Sequence, residues 1–226
     1  MTIKDIDCHI LTLPHFKREW VRQLKNDLDS EPINQHWLAG IDGNLGQSRA
    51  QGYEIGKSSF VTSVDPDDRI TLGTFAALHQ ALLENPSAPF AWAGEQFADE
   101  ELSPISKPNI WPHGYSPFLH LTRGHHVHGV KLYRRELVTP LLGVIRNGGL
   151  ACEFLLDYLL VKPFANPPKD AWPIHIPMVG RVWRQHQSNG HKLFTNSDFD
   201  HIAQILGFHS MSELKSIGAR AYAHPL

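Results

Sequence analysis

The 226-residue chain is poor in sulfur, in long apolar runs and in net charge. Two cysteines, Cys8 and Cys152, and three methionines are all the sulfur it carries. That excludes a disulfide-stapled secreted scaffold; with Cys8 in an apolar run and Cys152 in a helical pattern, the sequence predicts a reducing, cytoplasmic setting. No stretch approaches the roughly 20 apolar residues of a membrane helix. The N-terminal residues Met1 to Asp7 carry charge where a signal peptide needs an apolar core, so no stable membrane association is expected. Lys and Arg number 21 against 23 Asp and Glu, which leaves no global field to gather a polyanion. Internal repeats and low-complexity tracts are missing too. What remains is a chain long enough for one domain with a sizeable core.

Its most informative stretch is Phe60 to Ile70. An apolar, β-branched run ends abruptly in three carboxylates, Asp65, Asp67 and Asp68, before a helical pattern begins. Clustered carboxylates repel, and a turn needs only one Asp. An Asp-Pro turn leading into a helix N-terminus is the plainer explanation. A hard divalent cation, Mg²⁺ or Mn²⁺, accounts for the cluster more fully, because it takes oxygen from one or two carboxylates and fills the rest with water and substrate phosphates.

Periodicity supplies the frame. Strands are expected over 8–13, 33–41, 60–64 and 90–94, and helices over 16–29, 48–55 and 71–84. This alternation argues for an α/β sheet of parallel type with ligands at the strands' carboxyl ends. After about Ala98 the pattern changes. Residues 103–117 read as a long loop, 129–133 as a strand, 136–145 and 152–161 as helices, and 162–173 as a Pro-rich connection. Extended chain follows over 174–183. Two small helices, each opened by a Ser cap (Ser197 and Ser210), end the pattern.

The order of elements resembles the GT-A fold of nucleotide-sugar glycosyltransferases, especially glycosyltransferase family 2. The likeness covers most of the chain and is carried by five places. They are Thr12-Leu13-Pro14 after the first strand, Asp42 after the second, and the segment from Gly43 to Gly52 with Arg49. The fourth is the acidic motif from Val64 to Ile70, and the fifth is Val182-Trp183-Arg184-Gln185-His186. The second-strand acid lacks a neighbouring acid, since Ile41 precedes it, and the chain is shorter than most relatives.

The resemblance implies a Rossmann-type central mixed sheet flanked by helices in a single domain, 1–226. Residues 1–98 would bind the nucleotide sugar; 99–226 would bind the acceptor and close the site. It also implies transfer of a sugar from a nucleotide-diphosphate donor, expected to be a UDP-sugar, to an acceptor hydroxyl with inversion. Leu13, Pro14, Asp42, Arg49, Asp65 and Arg184 are the expected nucleotide contacts. Asp67, Asp65 and His186 would hold Mn²⁺ or Mg²⁺, with Asp68 as a further ligand or support. A carboxylate at a helix start after the acceptor region marks Glu153 as base. Its apolar neighbours would raise its pKa toward useful values. Asp157, one turn on along the same face, is the reserve.

Other features leave choices open. The segment from Leu119 to His128 is rich in histidine. His126 and His128, with Trp183, are expected to line the sugar or acceptor pocket, whereas zinc would want four N or S ligands that are not at hand. Lys131, Arg134 and Arg135 form a basic cluster that could meet a phosphate backbone. The acceptor could be a glycan, a protein, a small molecule or a modified nucleobase in DNA. A metal-dependent nucleotidyltransferase is the rival enzyme, although Leu13 to Lys17 makes a poor phosphate loop. A catalytically inactive nucleotide-sugar-binding module is the third reading.

Overall fold

A computed structural model describes residues 4–14, 16–123, 126–187, 189 and 194–223. The first half alternates strand and helix: β1 (Ile6–Thr12), α1 (Arg18–Asp29), β2 (Asn34–Ala39), α2 (Leu45–Glu54), β3 (Phe60–Val64), β4 (Arg69–Ile70), α3 (Thr74–Glu84) and β5 (Phe90–Ala98). The second half adds α4 (Pro117–Thr122), β6 (Val130–Arg134), α5 (Arg135–Val138), α6 (Leu142–Arg146), α7 (Cys152–Val161), β7 (Ile174–Arg184), α8 (Asn196–Ile205) and α9 (Met211–Ala223). Among the described residues, no helix is long and apolar enough to cross a membrane.

The strands form one seven-stranded sheet in the order β2-β1-β3-β6-β5-β7-β4. It is mixed. β1 pairs in parallel with β2 and β3, and β5 in parallel with β7, but β6 runs antiparallel to both of its neighbours. The two-residue β4, antiparallel to β7, is too short to leave a periodic trace in sequence.

Alternation along the strands sends successive side chains to two cores. Ile6, Cys8 and Ile10 of β1 pack with Leu24 and Leu28 of α1 and with Phe75, Leu78 and Leu82 of α3. Val61, Phe90, Trp92 and Tyr133 point the other way, to Tyr53 of α2 and Cys152 and Leu156 of α7. α8 and α9 close a third cluster around Leu155 and Leu214. Each fully buried side chain of this size is worth roughly 1.5–3 kcal/mol, so these faces outweigh local propensity.

Local chemistry fixes the boundaries. Pro140 breaks the helix expected over 136–145 into α5, a 3-10 turn and α6. The expected Ser197 cap gives way to Thr195, whose backbone N–H donates to Asp198 in a reciprocal capping box. Ser210 does cap α9, accepting the Glu213 N–H at 3.2 Å. The start of α3 is capped from outside by Glu31, which accepts the Gly73 and Phe75 N–H groups.

Candidate active site

Sheet order brings the expected nucleotide contacts to one edge. β2, β1 and β3 lie side by side and parallel, so their carboxyl ends present Asp42, Leu13-Pro14 and Asp65 in a row. Pro14 and Asp42 are exposed there. Gly40 N–H donates to Thr12 O at 2.8 Å and Thr12 Oγ1 to Leu38 O at 3.0 Å, which ties the two strand ends together.

At the third strand end the acidic turn spreads its three carboxylates. Asp65 accepts Arg49 Nη2 at 2.6 Å. Asp67 Oδ2 lies 2.8 Å from His186 Nε2. Asp68 is buried; it accepts the Arg184 backbone N–H at 3.1 Å and faces Arg181 Nη1 at 3.5 Å. Arg69, gripping Asp27 of α1 through two contacts of 2.6 Å, pins the turn from outside. Burial raises the pKa of Asp65 and, much further, that of Asp68; in each case the other carboxylates add to the rise while Arg49 or Arg181 opposes it.

Arg49 reaches this turn because α2 lies almost against α6. A Cβ on Gly46 would sit 2.6 Å from the Ile145 carbonyl oxygen, so only glycine allows the approach. The helix consequently buries Arg49, and the guanidinium bridges two carboxylates. Nη2 holds Asp65, and Nε donates to Glu153 Oε1 at 2.7 Å.

Glu153 sits in the first turn of α7 with its side chain 37% exposed. The expectation of a raised pKa is overturned. Burial does push it up, but Arg49 first, then Lys131, Arg181 and His128, outweigh burial and hold it down at about 2. Its apolar neighbours in sequence are not its neighbours in space. Asp157, one turn on, does not share the cleft. It is 1% exposed, accepts Lys131 Nζ at 2.5 Å and Tyr133 Oη at 2.9 Å, and burial lifts its pKa to about 6 against the pull of Lys131.

The late basic segment divides into parts with different duties. Arg184, expected at a diphosphate, is buried instead. Its nitrogens donate to Asp67 O at 2.8 Å, to Gln23 Oε1 at 2.7 Å and to Glu100 O, and its guanidinium stacks on Trp20. This arginine staples the acidic turn from below. Arg181 is the cation turned to the cleft, held by Glu95 Oε2 at 2.5 Å and lying 5.3 Å from the centre of Trp183. His128 donates Nδ1–H to Glu95 Oε1 at 2.5 Å and packs against Trp183, so it joins this network. His186, anchored through its backbone N–H by Asn189 Oδ1, stays beside Asp67.

His126 is not a pocket residue. It is fully buried, with Trp111, Tyr115 and Trp92 rings within 4.7–6.2 Å. Ser116 N–H donates to its Nε2, which leaves the proton on Nδ1, and burial lowers its pKa to about 4. His125 lies outside the described residues. Among the described residues no group of three or more His, Cys, Asp or Glu is placed to hold a metal ion by itself.

Glu95 carries no weight in the sequence reading, yet it is a fully buried carboxylate at the centre of the network. Its signal was a lone acid in an otherwise apolar strand, a placement whose desolvation cost demands cationic partners. Lys131 likewise faces the cleft rather than a nucleic acid, while Arg134 and Arg135 are spent on backbone carbonyls and Asp7. Together Arg49, Asp65, Lys131, Glu153 and Arg181, with Ser63, Gly129 and Tyr133, line a small cleft. Arg49 Nη1 and Arg181 Nε are buried with no hydrogen-bond acceptor among the described residues.

No protein-family model matches the sequence, and no curated protein matches it. Solved structures do. TarS of S. aureus, residues 1–349, in complex with UDP-GlcNAc superposes with a TM-score of 0.64 at 12% identity, covering 95% of this chain and 70% of that one. The UDP complex of the same fragment gives 0.62 with the same identity and coverage. Another structure of the fragment gives 0.62, and there this chain spans 64% of the TarS length. The mixed sheet, its strand order and this likeness establish a GT-A-like, Rossmann-type α/β fold.

Proposed function

We propose that the protein is a glycosyltransferase that moves a sugar from a nucleotide-diphosphate donor to an acceptor hydroxyl. The carrying observation is the Asp65–Arg49–Glu153 bridge, which joins the acidic turn to a solvent-reachable carboxylate at the carboxyl edge of a GT-A-like sheet. TarS is solved in complex with UDP and with UDP-GlcNAc, and in this chain the carboxyl edge of the sheet offers Leu13, Pro14 and Asp42 to a base and Asp65 to a ribose. Glu153 is ionised at neutral pH.

In the proposed step the acceptor O–H gives its proton to Glu153. The oxygen forms a bond to the anomeric carbon from the face opposite the diphosphate, and the carbon–oxygen bond to phosphate breaks with its electron pair. The sugar inverts, and a nucleoside diphosphate leaves. Arg181 and Lys131 line the cleft and supply positive charge to it. A base pKa near 2 makes Glu153 a weak base, so the network favours a fixed charge and orientation over basicity.

Mn²⁺ or Mg²⁺ fits this turn. Asp67 and His186 would hold the cation, which would fill the rest of its shell with further oxygen ligands. Asp68 Oδ2 is buried without a hydrogen bond among the described residues. When bound, the cation would offset charge growing on the leaving diphosphate.

A nucleotidyltransferase is the weaker reading, because β1 leads into Leu13-Pro14 instead of a Gly-rich phosphate loop. The test is hydrolysis of UDP-sugar without acceptor, with and without Mn²⁺. UDP release that depends on Glu153 supports transfer. Pyrophosphate release from a nucleoside triphosphate would select the rival, and UDP binding without turnover would leave a binding module.

A further inference from the structure

One residue along from Glu153, α7, α8 and α9 surround a second, larger cavity of about 680 Å³. Phe154 forms one wall. Phe199 of α8 meets it edge to face with ring centres 5.6 Å apart, and Tyr158 and Met211 are largely buried at the base. The Phe154 ring also stacks on His128 at 6.4 Å, so one side chain borders both this cavity and the Glu95–Arg181 network. The only charged groups among its lining residues are Asp200 and Lys215, which cancel; hydroxyls and an amide make up the rest of the rim.

We infer that this cavity is the acceptor subsite and that it takes a neutral, hydroxyl-rich saccharide chain. The inference rests on the glycosyl-transfer reading. The base of that reaction must touch the acceptor hydroxyl, and the wall residue Phe154 packs on His128 of the Glu95–Arg181 network beside the cleft. Aromatic faces match the C–H faces of a pyranose, while the hydroxyl and amide rim matches its edges. A lipid chain would leave that rim desolvated and unpaired.

Charge decides between the remaining classes. A nucleic acid or polyphosphate needs several free cations. Here Arg134 and Arg135 are consumed by the fold, Lys131 is paired with Asp157, and the cavity itself is neutral. The volume, about 680 Å³, falls within the usual range of about 300–1000 Å³ for a bound ligand, room for a short saccharide.

The test uses the Glu153→Gln protein saturated with UDP and Mn²⁺, so that binding is read without turnover. Saturation-transfer NMR is run with chitotetraose, cellotetraose and maltotetraose, beside an oligogalacturonate and a single-stranded DNA oligomer. At least one neutral tetrasaccharide should bind, and Phe154→Ala and Phe199→Ala should each weaken it about tenfold or more, with UDP affinity retained. UDP affinity shows that each variant is folded, and Phe199 lies on a different helix from the proposed base. Binding of none of the neutral chains, preference for the anionic probes, or indifference to both variants would overturn the inference. Loss of UDP binding in the parent protein would instead sink the transferase reading beneath it.

Discussion

Arg49 Nε stands 2.7 Å from Glu153 Oε1, across 104 residues of sequence, while Nη2 of the same guanidinium holds Asp65 at 2.6 Å. One buried cation therefore sets the spacing between the acidic turn and the proposed base. It also controls the ionisation of that base, because it is the largest of the charges holding Glu153 near 2.

Glu153→Gln keeps side-chain volume and removes the base. Transfer at saturating donor should fall by roughly 10²–10⁴-fold with UDP affinity retained. Asp157→Asn should behave differently, leaving turnover within a few-fold and lowering stability, because it strips Lys131 of a buried partner. Steady-state rates and denaturation midpoints for the two variants decide the matter. Near-native turnover in Glu153→Gln means that the base lies elsewhere.

Removing Arg49 tests the electrostatic half. In Arg49→Met the burial that raises the Glu153 pKa meets less opposition, so that pKa should climb from about 2. The acid limb of kcat/KM should then move to higher pH. An acid limb that stays in place would show that Glu153 does not titrate in the reaction.

The fold was largely legible because its signals are local. α7 begins at Cys152 and ends at Val161, and β3 spans Phe60–Val64, both where periodicity put them. The antiparallel course of β6 was not legible, since it depends on how residues 99–129 route the chain and not on any pattern within 130–134. The site divides in the same way. Asp65, Asp67 and Glu153 stood out as candidates by residue type, place and the family resemblance. Their partners could not, because the ionisation of Glu153 depends on Arg49, Lys131 and Arg181, which come from three other elements. Arg184 and His126 carried chemistry in their side chains but were folded inward, and burial is a property of the whole structure.

Asp157 makes a separate prediction about stability and pH. Its pKa is raised in the fold, from 3.8 to about 6, so the native state holds a proton that the unfolded chain has already lost between those values. This group's contribution to stability must therefore fall as pH rises from about 4 to 6 and level off beyond. Denaturant titrations across that window should show the decline in the native protein and its loss in Asp157→Asn. A parallel slope in both proteins would assign the titration to another group.

Metal binding can be tested without turnover. Asp67→Asn keeps shape and loses charge, and His186→Ala removes the neighbouring nitrogen 2.8 Å away. If these two hold the cation, each variant should lose most of the gain in UDP affinity that Mn²⁺ confers on the native protein. Affinity measured with chelator should change little. Undiminished Mn²⁺ enhancement in both would remove the acidic turn from metal binding.

Gly46 links packing to chemistry. Adding a methyl there places it 2.6 Å from the Ile145 carbonyl oxygen and 3.0 Å from that of Arg146, both of them backbone atoms that cannot simply rotate away. Gly46→Ala should therefore push α2 off α6 at a cost of about 1–3 kcal/mol. Arg49 rides on the same helix one turn later, so the shift should also lengthen its contacts to Asp65 and Glu153. The expected outcome is a lower denaturation midpoint together with a fall in kcat larger than the fall in UDP affinity, since the proposed base contacts Leu13, Pro14 and Asp42 follow β1 and β2. A destabilised variant with native kcat would mean that α2 can move without carrying Arg49 away from the base, and the bridge would lose its proposed part in setting the site.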